Sequence, residues 1–175
     1  MPSVKNHYGL QPGDWLEVNG LFVQILEESA RGGLGVVYKA RFEDGSHFIA
    51  VKQFQYPKFY NPNDGSNDCE HYWEREARIC QLQNCSEEPN MRYFGAIKLT
   101  QFTDPEYFLF LEFIRGVPLN QWYRQNYHSA DIITLKDMIV FLEIVMQIAR
   151  HMYFVHRDAS VIHREIGRAS CRERV

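Results

Sequence analysis

The sequence predicts an α+β fold, in which a five-stranded antiparallel sheet with one helix is followed by helices alone. Segments of strand character follow one another through short turns, which favours antiparallel pairing over parallel units with crossover helices. One stretch with helical periodicity interrupts the strands, and beyond residue 116 the pattern is only helical. With 45% hydrophobic and 14% aromatic residues among its 175, the chain has the composition of a globular protein.

The predicted elements follow from local patterns in chain order. Residues 1–19 are polar and turn-rich and are predicted to be a lead-in outside the sheet. Segments rich in β-branched and aromatic residues predict the five strands, and Asp44-Gly45 is a turn signal between the second and third. The strands are predicted at residues 21–28, 35–42, 47–54, 91–100 and 107–114.

Three helices are predicted around and after these strands. The first, at residues 69–83, follows an exposed loop at 55–68 that is rich in Pro, Asn, Asp and Gly. A short helix at 118–127 and a long one at 135–155 come last. The long helix is apolar on most of its circumference, which indicates that it belongs inside a larger structure.

Charge and cysteine usage narrow the function classes. The formal net charge of the chain is −3. Residues 166–175 have a net charge of +2, so residues 1–165 have a net charge of −5. This negative charge gives no electrostatic reason to expect a nucleic-acid partner. The four cysteines form no CxxC pair, which predicts free thiols in a reducing compartment. No signal peptide is visible, and the longest apolar stretches are too short to span a bilayer. The chain is therefore expected to be cytoplasmic.

The glycine cluster "ARGGLGVVYKA" lies between the first two predicted strands. Glycines there allow backbone N–H groups to approach a phosphate closely, although an ordinary glycine-rich hairpin has the same pattern. No Gly-Lys-Ser/Thr follows, which excludes a P-loop. A strand follows where a dinucleotide-binding fold needs a helix, so that fold is disfavoured.

Lys52 and Glu76 are the two charged residues whose positions suggest a partnership. Lys52 lies mid-strand in "IAVK", either extending to solvent or held as a point charge for a phosphate. Glu76 is spaced three residues from both Trp73 and Ile79, which places it on their apolar helix face. A carboxylate on a buried face needs a partner, and Lys52 is the natural candidate; the alternative for Glu76 is ordinary surface charge.

Two further segments are candidates for binding and catalysis. The strand that ends in Leu111-Glu112-Phe113 could present backbone groups to an adenine edge, or it could simply leave the sheet. His163 in "VIHR" could be catalytic or a core histidine. The earlier His156-Arg157-Asp158 is set aside, because it falls where the long helix should end.

The order of these features resembles the eukaryotic-type protein kinase domain, most closely its Ser/Thr type, over about residues 20–165. Lys52 lies 17 residues after Gly35, and Glu76 lies 24 residues after Lys52. The resemblance divides the chain into a lead-in, a kinase N-lobe, the start of a C-lobe and a tail of different character. Their ranges are 1–19, 20–116, 117–165 and 166–175.

The resemblance implies an ATP site and assigns a role to each matching residue. Ala30 replaces the first glycine of the phosphate-covering loop, which is expected to weaken ATP binding without abolishing it. Lys52 would hold the α- and β-phosphates, and Glu76 would orient Lys52. The other implied ATP contacts are Gly32, Gly33, Gly35 and Val37 in the loop, Ala50 against the adenine, Leu111 as gatekeeper, and Glu112 and Phe113 in the hinge.

The catalytic half of the family's pattern is incomplete. His163 and Arg164 match the start of H-R-D, but Glu165 stands in place of the catalytic Asp. The Mg²⁺-binding Asn and D-F-G are absent, so the sequence offers Mg²⁺ no ligands. The parent protein is expected to transfer phosphoryl from ATP to a protein Ser/Thr hydroxyl, whereas this chain alone is expected to be inactive.

The last ten residues, "IGRASCRERV", match one reading frame of a common short-read sequencing adapter. If the gene supplies a G before the adapter's leading AG, the junction codon is GAG, which gives Glu165; a native Asp codon also begins with G. The hypothesis is that the gene encodes Asp after Arg164 and that residues 166–175 are adapter. The alternatives are a non-catalytic pseudokinase, which a genuine Glu165 would favour, and an unrelated α+β domain.

Overall fold

The computed structural model describes residues 9–84, 92–100, 104–117, 119–127 and 134–158. These residues divide into two compact units. The first comprises the described residues up to 84 and from 92 to Phe113, and the second those from Ile114 onward. The first unit contains the sheet and one helix, and the second contains helices only.

The first unit contains a six-stranded antiparallel sheet, so the predicted count of five was wrong by one strand. The strands are β1 (Trp15–Val18), β2 (Leu21–Arg31), β3 (Gly35–Phe42), β4 (Phe48–Phe54), β5 (Tyr93–Leu99) and β6 (Glu106–Glu112). Their order across the sheet is β1-β2-β3-β4-β6-β5. A 3₁₀ turn at Tyr56–Phe59 follows β4, and the helix α1 runs over Cys69–Asn84.

The additional strand β1 lies in the segment that the sequence predicted to be a lead-in. It pairs with β2 through the two-residue turn Asn19-Gly20, at φ 52° and 78°. Positive φ at both central residues is the requirement of a type I′ hairpin turn, and Asn-Gly is the dipeptide that meets it best. Leu16 and Val18 are buried in the core, so hydrophobic burial adds to this pairing.

The two faces of the sheet support separate hydrophobic clusters. On one face, β1 to β4 and β6 contribute buried residues that include Val18, Ile25, Val36, Val51 and Phe110. The other face is covered by α1, whose Cys69, Trp73, Ala77 and Cys80 pack on residues of β4, β5 and β6. Neither Cys69 nor Cys80 is part of a disulfide. The two-layer arrangement places α1 beside the strands that carry Lys52 and Leu111.

The edge strands β1 and β5 meet, so the sheet curls toward closure. The amide Nδ2 of Asn19 donates to the Phe94 carbonyl oxygen at 2.8 Å. Gly95 has φ 151°, and a Cβ there would lie 2.6 Å from Cγ2 of Val18 and 2.8 Å from Nδ2 of Asn19. Glycine at 95 therefore permits the close approach that joins the two edges.

The second unit contains the helices α2 (Leu119–Tyr127) and α3 (Leu135–Asp158). Thr134 and Asp137 cap α3: the Asp137 N–H donates to Oγ1 of Thr134 at 3.3 Å, and the Thr134 N–H donates to Oδ2 of Asp137 at 2.8 Å. His156-Arg157-Asp158 forms the last turn of α3, so that copy of the motif is helical. Within the described ranges, no helix is long and apolar enough to cross a membrane.

Candidate functional site

Four of the side chains that the sequence singled out on the strands, Val37, Ala50, Lys52 and Leu111, share one face of the sheet. Val37, Lys52 and Leu109 form one row across β3, β4 and β6. The next row is Lys39, Ala50 and Leu111. Because residues two apart in a strand point the same way, and partners in register share a face, both rows face the side that α1 covers.

Lys52 and Glu76 form a two-pronged ion pair on this face. The Lys52 Nζ lies 2.6 Å from Oε1 and 2.7 Å from Oε2 of Glu76. It also lies 4.8 Å from the centroid of the Phe54 ring, within range of a cation–π contact. The two side chains are 22% and 34% exposed. The contact that the sequence led us to expect is present, and the ammonium is still reachable from solvent.

The helix α1 delivers Glu76 to the sheet through its apolar face. Trp73 and Ala77, on either side of Glu76 along that face, pack against the cluster beneath α1. The helix begins where the side chain of Asn67 accepts from the Cys69 N–H at 2.9 Å, which satisfies one of the unpaired donors of the first turn. The same Asn67 donates to the Tyr56 carbonyl at 2.8 Å and so joins the start of α1 to the 3₁₀ turn.

The glycine cluster forms the turn between β2 and β3. The Gly32 N–H donates to the Gly35 carbonyl at 2.9 Å, and the Gln55 N–H donates to the Leu34 carbonyl at 3.1 Å. A Cβ on Gly35 would lie 2.4 Å from the Gln53 carbonyl oxygen, so the packing of β3 on β4 requires glycine there. A Cβ on Gly33 would meet no atom within 4 Å.

Ala30, which replaces the first glycine of the resembled loop, sits without backbone strain. It lies within β2 opposite Val37 and is exposed. Among the described non-glycine residues, positive φ occurs at Asn19 and nowhere else, so position 30 does not need glycine for its conformation. β2 has irregular register on β3 between Ile25 and Glu27 and again between Glu28 and Ala30.

The predicted hinge follows directly from the end of β6. Leu111 is buried and packs in the cluster that includes Ala50. Glu112 is the last strand residue; its N–H donates to the Arg92 carbonyl at 2.8 Å, and its Oε2 accepts from the Arg92 N–H at 3.1 Å. Phe113 follows the strand, is half-buried and is the last residue of the first unit.

Sequence reasoning missed Lys39 as a neighbour of the predicted hinge. Its Nζ lies 5.5 Å from the Phe113 ring centroid, 5.0 Å from that of Phe48 and 3.3 Å from Oε1 of Glu27. The available signal was its spacing of two from Val37, which places both on one face of β3.

A buried polar chain lies on the opposite face of the sheet. The Tyr38 hydroxyl accepts from the Leu10 N–H at 3.1 Å and contacts Oε1 of Gln53 at 3.2 Å. The Gln53 Nε2 donates to Oε1 of Glu106 at 3.2 Å. Burial raises the pKa of Glu106, and that of Tyr38 as well. These hydrogen bonds attach the lead-in segment to β3, and their side chains lie on the face of the sheet opposite Lys52.

The remaining predicted site residues cannot be placed. His163, Arg164, Glu165 and the segment 166–175 lie outside the described residues. In the part of the chain that the structure describes, no three His, Cys, Asp or Glu side chains are grouped to hold a metal ion.

Comparison with known proteins identifies the fold. No protein-family model matches the sequence, and no curated protein matches it. The structure is similar to the crystal structure of the M. tuberculosis PknI kinase domain, with a TM-score of 0.60 and 13% sequence identity. The match covers 90% of this chain and 55% of that one, so the chain spans about half the length of the kinase domain it matches. The chain has a protein kinase-like fold.

Proposed function

We propose that this chain is the nucleotide-binding part of an ATP-dependent protein kinase. The observation that carries the proposal is the Lys52–Glu76 ion pair, on the sheet face beside the glycine turn. It is supported by a kinase-like fold in which Lys52 and Ala50 lie in register with Val37 and Leu111.

The glycines of the turn support a ligand role because the fold alone does not require all of them. Gly32 and Gly33 lie outside the left-handed region of φ, and a Cβ on either would meet no atom closer than 3.9 Å. Side chains could therefore be accommodated there. Without side chains at these two positions, a phosphate can approach the backbone of the turn closely. The residues present fit the triphosphate of ATP.

Each residue of the site then has a physical task. The Lys52 ammonium has three N–H donors, of which Glu76 takes two among the described contacts, so a third can be given to a phosphate oxygen. Glu76 holds the flexible Lys52 side chain in one place, which lowers the entropy lost when a ligand binds. Ala50 and Val37 present small apolar surfaces to the adenine, and Leu111 closes the pocket behind them.

In the parent protein, ATP would supply a phosphoryl group for transfer to a Ser or Thr hydroxyl of a protein substrate. The described residues supply binding and orientation and no general base. In the parent protein, the general base would be the Asp of H-R-D, and the Mg²⁺ ligands would be the catalytic Asn and the Asp of D-F-G. On this account the 175-residue chain binds nucleotide without catalysing transfer.

The test is calorimetric titration of the purified chain with ATP and Mg²⁺. Lys52→Met removes a charged hydrogen-bond donor, and loss of such a bond costs about 1.5–3 kcal/mol. The expected result is affinity lower by about tenfold to a hundredfold. Lys136→Met, at an exposed position on α3, is the matched control and should bind like the parent chain. Equal affinity for Lys52→Met and the parent chain would contradict the proposal.

The second candidate is a non-catalytic pseudokinase that binds nucleotide or a partner protein. Ala30, near the end of β2 where the resembled loop has its first glycine, favours it, and a genuine Glu165 in place of Asp would favour it as well. Sequencing the source DNA beyond Arg164 separates the two. An Asp codon followed by the catalytic Asn and D-F-G supports the enzyme and the adapter origin of residues 166–175. Genomic DNA that encodes "IGRASCRERV" overturns the adapter hypothesis and favours the pseudokinase.

A further inference from the structure

Helix α1 contacts the sheet through the polar side chains of Glu70, Trp73 and Glu76 and, in its last turn, of Asn84. Residues three apart on an α-helix differ by about 60° around its axis, so Trp73 lies at the centre of this face, with the two carboxylates on its flanks. Glu76 belongs to the proposed nucleotide site. Glu70 and Trp73 contact the sheet elsewhere, and their contacts bear on where Glu76 lies.

Trp73 is fixed to the middle of the sheet. Its Nε1–H donates to the Phe108 carbonyl oxygen at 3.0 Å, and its ring lies 5.3 Å from that of Tyr107 at 50°. An indole N–H in a partly buried position needs an acceptor, and a backbone carbonyl can accept a second hydrogen bond. Phe108 lies in β6, between β4 and β5, and is fully buried. Its carbonyl is therefore a rigid attachment point.

Glu70 attaches the first turn of α1 to the edge of the same sheet. Its Oε1 lies 2.5 Å from the Nζ of Lys98 in β5, and its Oε2 accepts from the Tyr107 hydroxyl at 3.1 Å. A carboxylate in the first turn is also favoured by the helix dipole. The two attachments, at Glu70 and Trp73, fix both the height and the rotation of α1 on the sheet.

We propose that Trp73 and Glu70 are positioning residues that hold α1 where Glu76 reaches Lys52. All of these contacts lie within the first compact unit. Asn84 adds a contact at the last turn of α1, where its Oδ1 accepts from the Tyr93 N–H at 3.1 Å, whereas Glu70 and Trp73 hold the two turns that lead to Glu76. This inference refines the proposed nucleotide site, and its functional meaning rests on that proposal.

The experiment measures the Lys52–Glu76 contact without nucleotide. A carbodiimide joins a carboxylate to an amine that touches it, and mass spectrometry of the digested chain quantifies the joined Lys52 and Glu76 peptides. Trp73→Phe keeps an aromatic ring and removes the N–H donor. Loss of one neutral hydrogen bond lowers the docking equilibrium constant of α1 by about fivefold, so the yield should fall by up to about fivefold. Glu70→Gln, which weakens a partly exposed ion pair, should lower the yield by about twofold.

Two controls separate positioning from unfolding. Tyr72→Phe changes an exposed aromatic residue of α1 and should leave the yield unchanged. The Lys39–Glu27 pair joins β3 to β2 at 3.3 Å and includes no residue of α1, so it gives an internal reference in every variant. If Trp73→Phe also lowers the Lys39–Glu27 yield, the chain has unfolded and Glu70→Gln decides: a lower Lys52–Glu76 yield supports the proposal and an unchanged one overturns it.

The remaining outcomes are decisive as well. A Lys52–Glu76 yield that stays at the parent level in a folded Trp73→Phe chain overturns the positioning role. A chain that cross-links as expected but does not bind ATP with Mg²⁺ overturns the proposed function and leaves the positioning role supported, since no nucleotide enters the cross-linking reaction.

Discussion

Substitution of Gly35 tests whether the glycine turn is built as the structure describes. A Cβ at this position would lie 2.4 Å from the Gln53 carbonyl oxygen, 3.3 Å from the Gln53 carbonyl carbon and 3.5 Å from the Phe54 Cα. All three are backbone atoms of the neighbouring strand β4, so no side-chain rotation can relieve the contact. Gly35→Ala must push β3 away from β4 at the start of their pairing.

The cost can be worked from the packing. Forcing extra atoms into a well-packed site costs about 1–3 kcal/mol. For a chain of this size each kcal/mol lowers Tm by about 2–4 °C, so Gly35→Ala should lower Tm by about 2–12 °C. Gly33→Ala makes the same chemical change two residues away, where the Cβ meets nothing within 4 Å, and should leave Tm unchanged or slightly raised. Circular dichroism melts of both variants measure the difference, and equal Tm values would refute the described turn.

Three further predictions concern the rest of the chain. Burial, with the nearby Glu70 charge, raises the pKa of Cys69 to about 12. The peptide that contains Cys69 should therefore be alkylated by iodoacetamide at pH 8 only after the chain unfolds. Rapid labelling of the folded chain would contradict this. The Lys98 ammonium lowers the pKa of Glu70, so that pair stabilises the fold above the unfolded-state pKa of about 4.3 and is lost as pH falls. The Tm gap between the parent chain and Glu70→Gln should therefore narrow from pH 6 to pH 3, and a gap that stays constant over this range would contradict the prediction. Six apolar side chains along α3 are exposed: Leu135, Met138, Ile139, Phe141, Leu142 and Met146. This surface predicts that the chain self-associates in light-scattering measurements. A monomer at every concentration would contradict the prediction.

Local patterns predicted most of the elements but missed one strand. The sequence placed β3 at 35–42, where the structure has it, because β-branched and aromatic residues continue without interruption between two turns. β1 was missed because its four residues lie in a polar, turn-rich segment. The signal that identifies it is Asn19-Gly20, since that dipeptide predicts a two-residue hairpin turn even when one strand is short.

Helical periodicity predicted the Lys52–Glu76 pair of the site but not the contacts that hold α1 on the sheet. The helical spacing of Glu76 with Trp73 placed the carboxylate on the buried face, and the need of a buried charge for a partner pointed to Lys52. The attachments of Trp73 to Phe108 and of Glu70 to Lys98 join residues 35 and 28 apart in sequence. No local pattern encodes such distant contacts, because they depend on the strand order of the finished sheet.

The curled edge of the sheet was also beyond sequence reasoning. Gly95 interrupts a predicted strand, and an isolated glycine there indicates a bulge or a close approach without naming the partner. The partner is the β1–β2 turn at Asn19, which is distant in sequence.

The central claim is that Lys52 and Glu76 act together as one nucleotide-binding unit. The most direct measurement is a double-mutant cycle on ATP·Mg²⁺ affinity, with Lys52→Met, Glu76→Gln and the double variant compared with the parent chain. Because Glu76 acts by holding Lys52, its substitution should cost affinity in the parent chain and nothing once Lys52 is methionine. Costs that simply add, or affinity that survives both substitutions, would contradict the account.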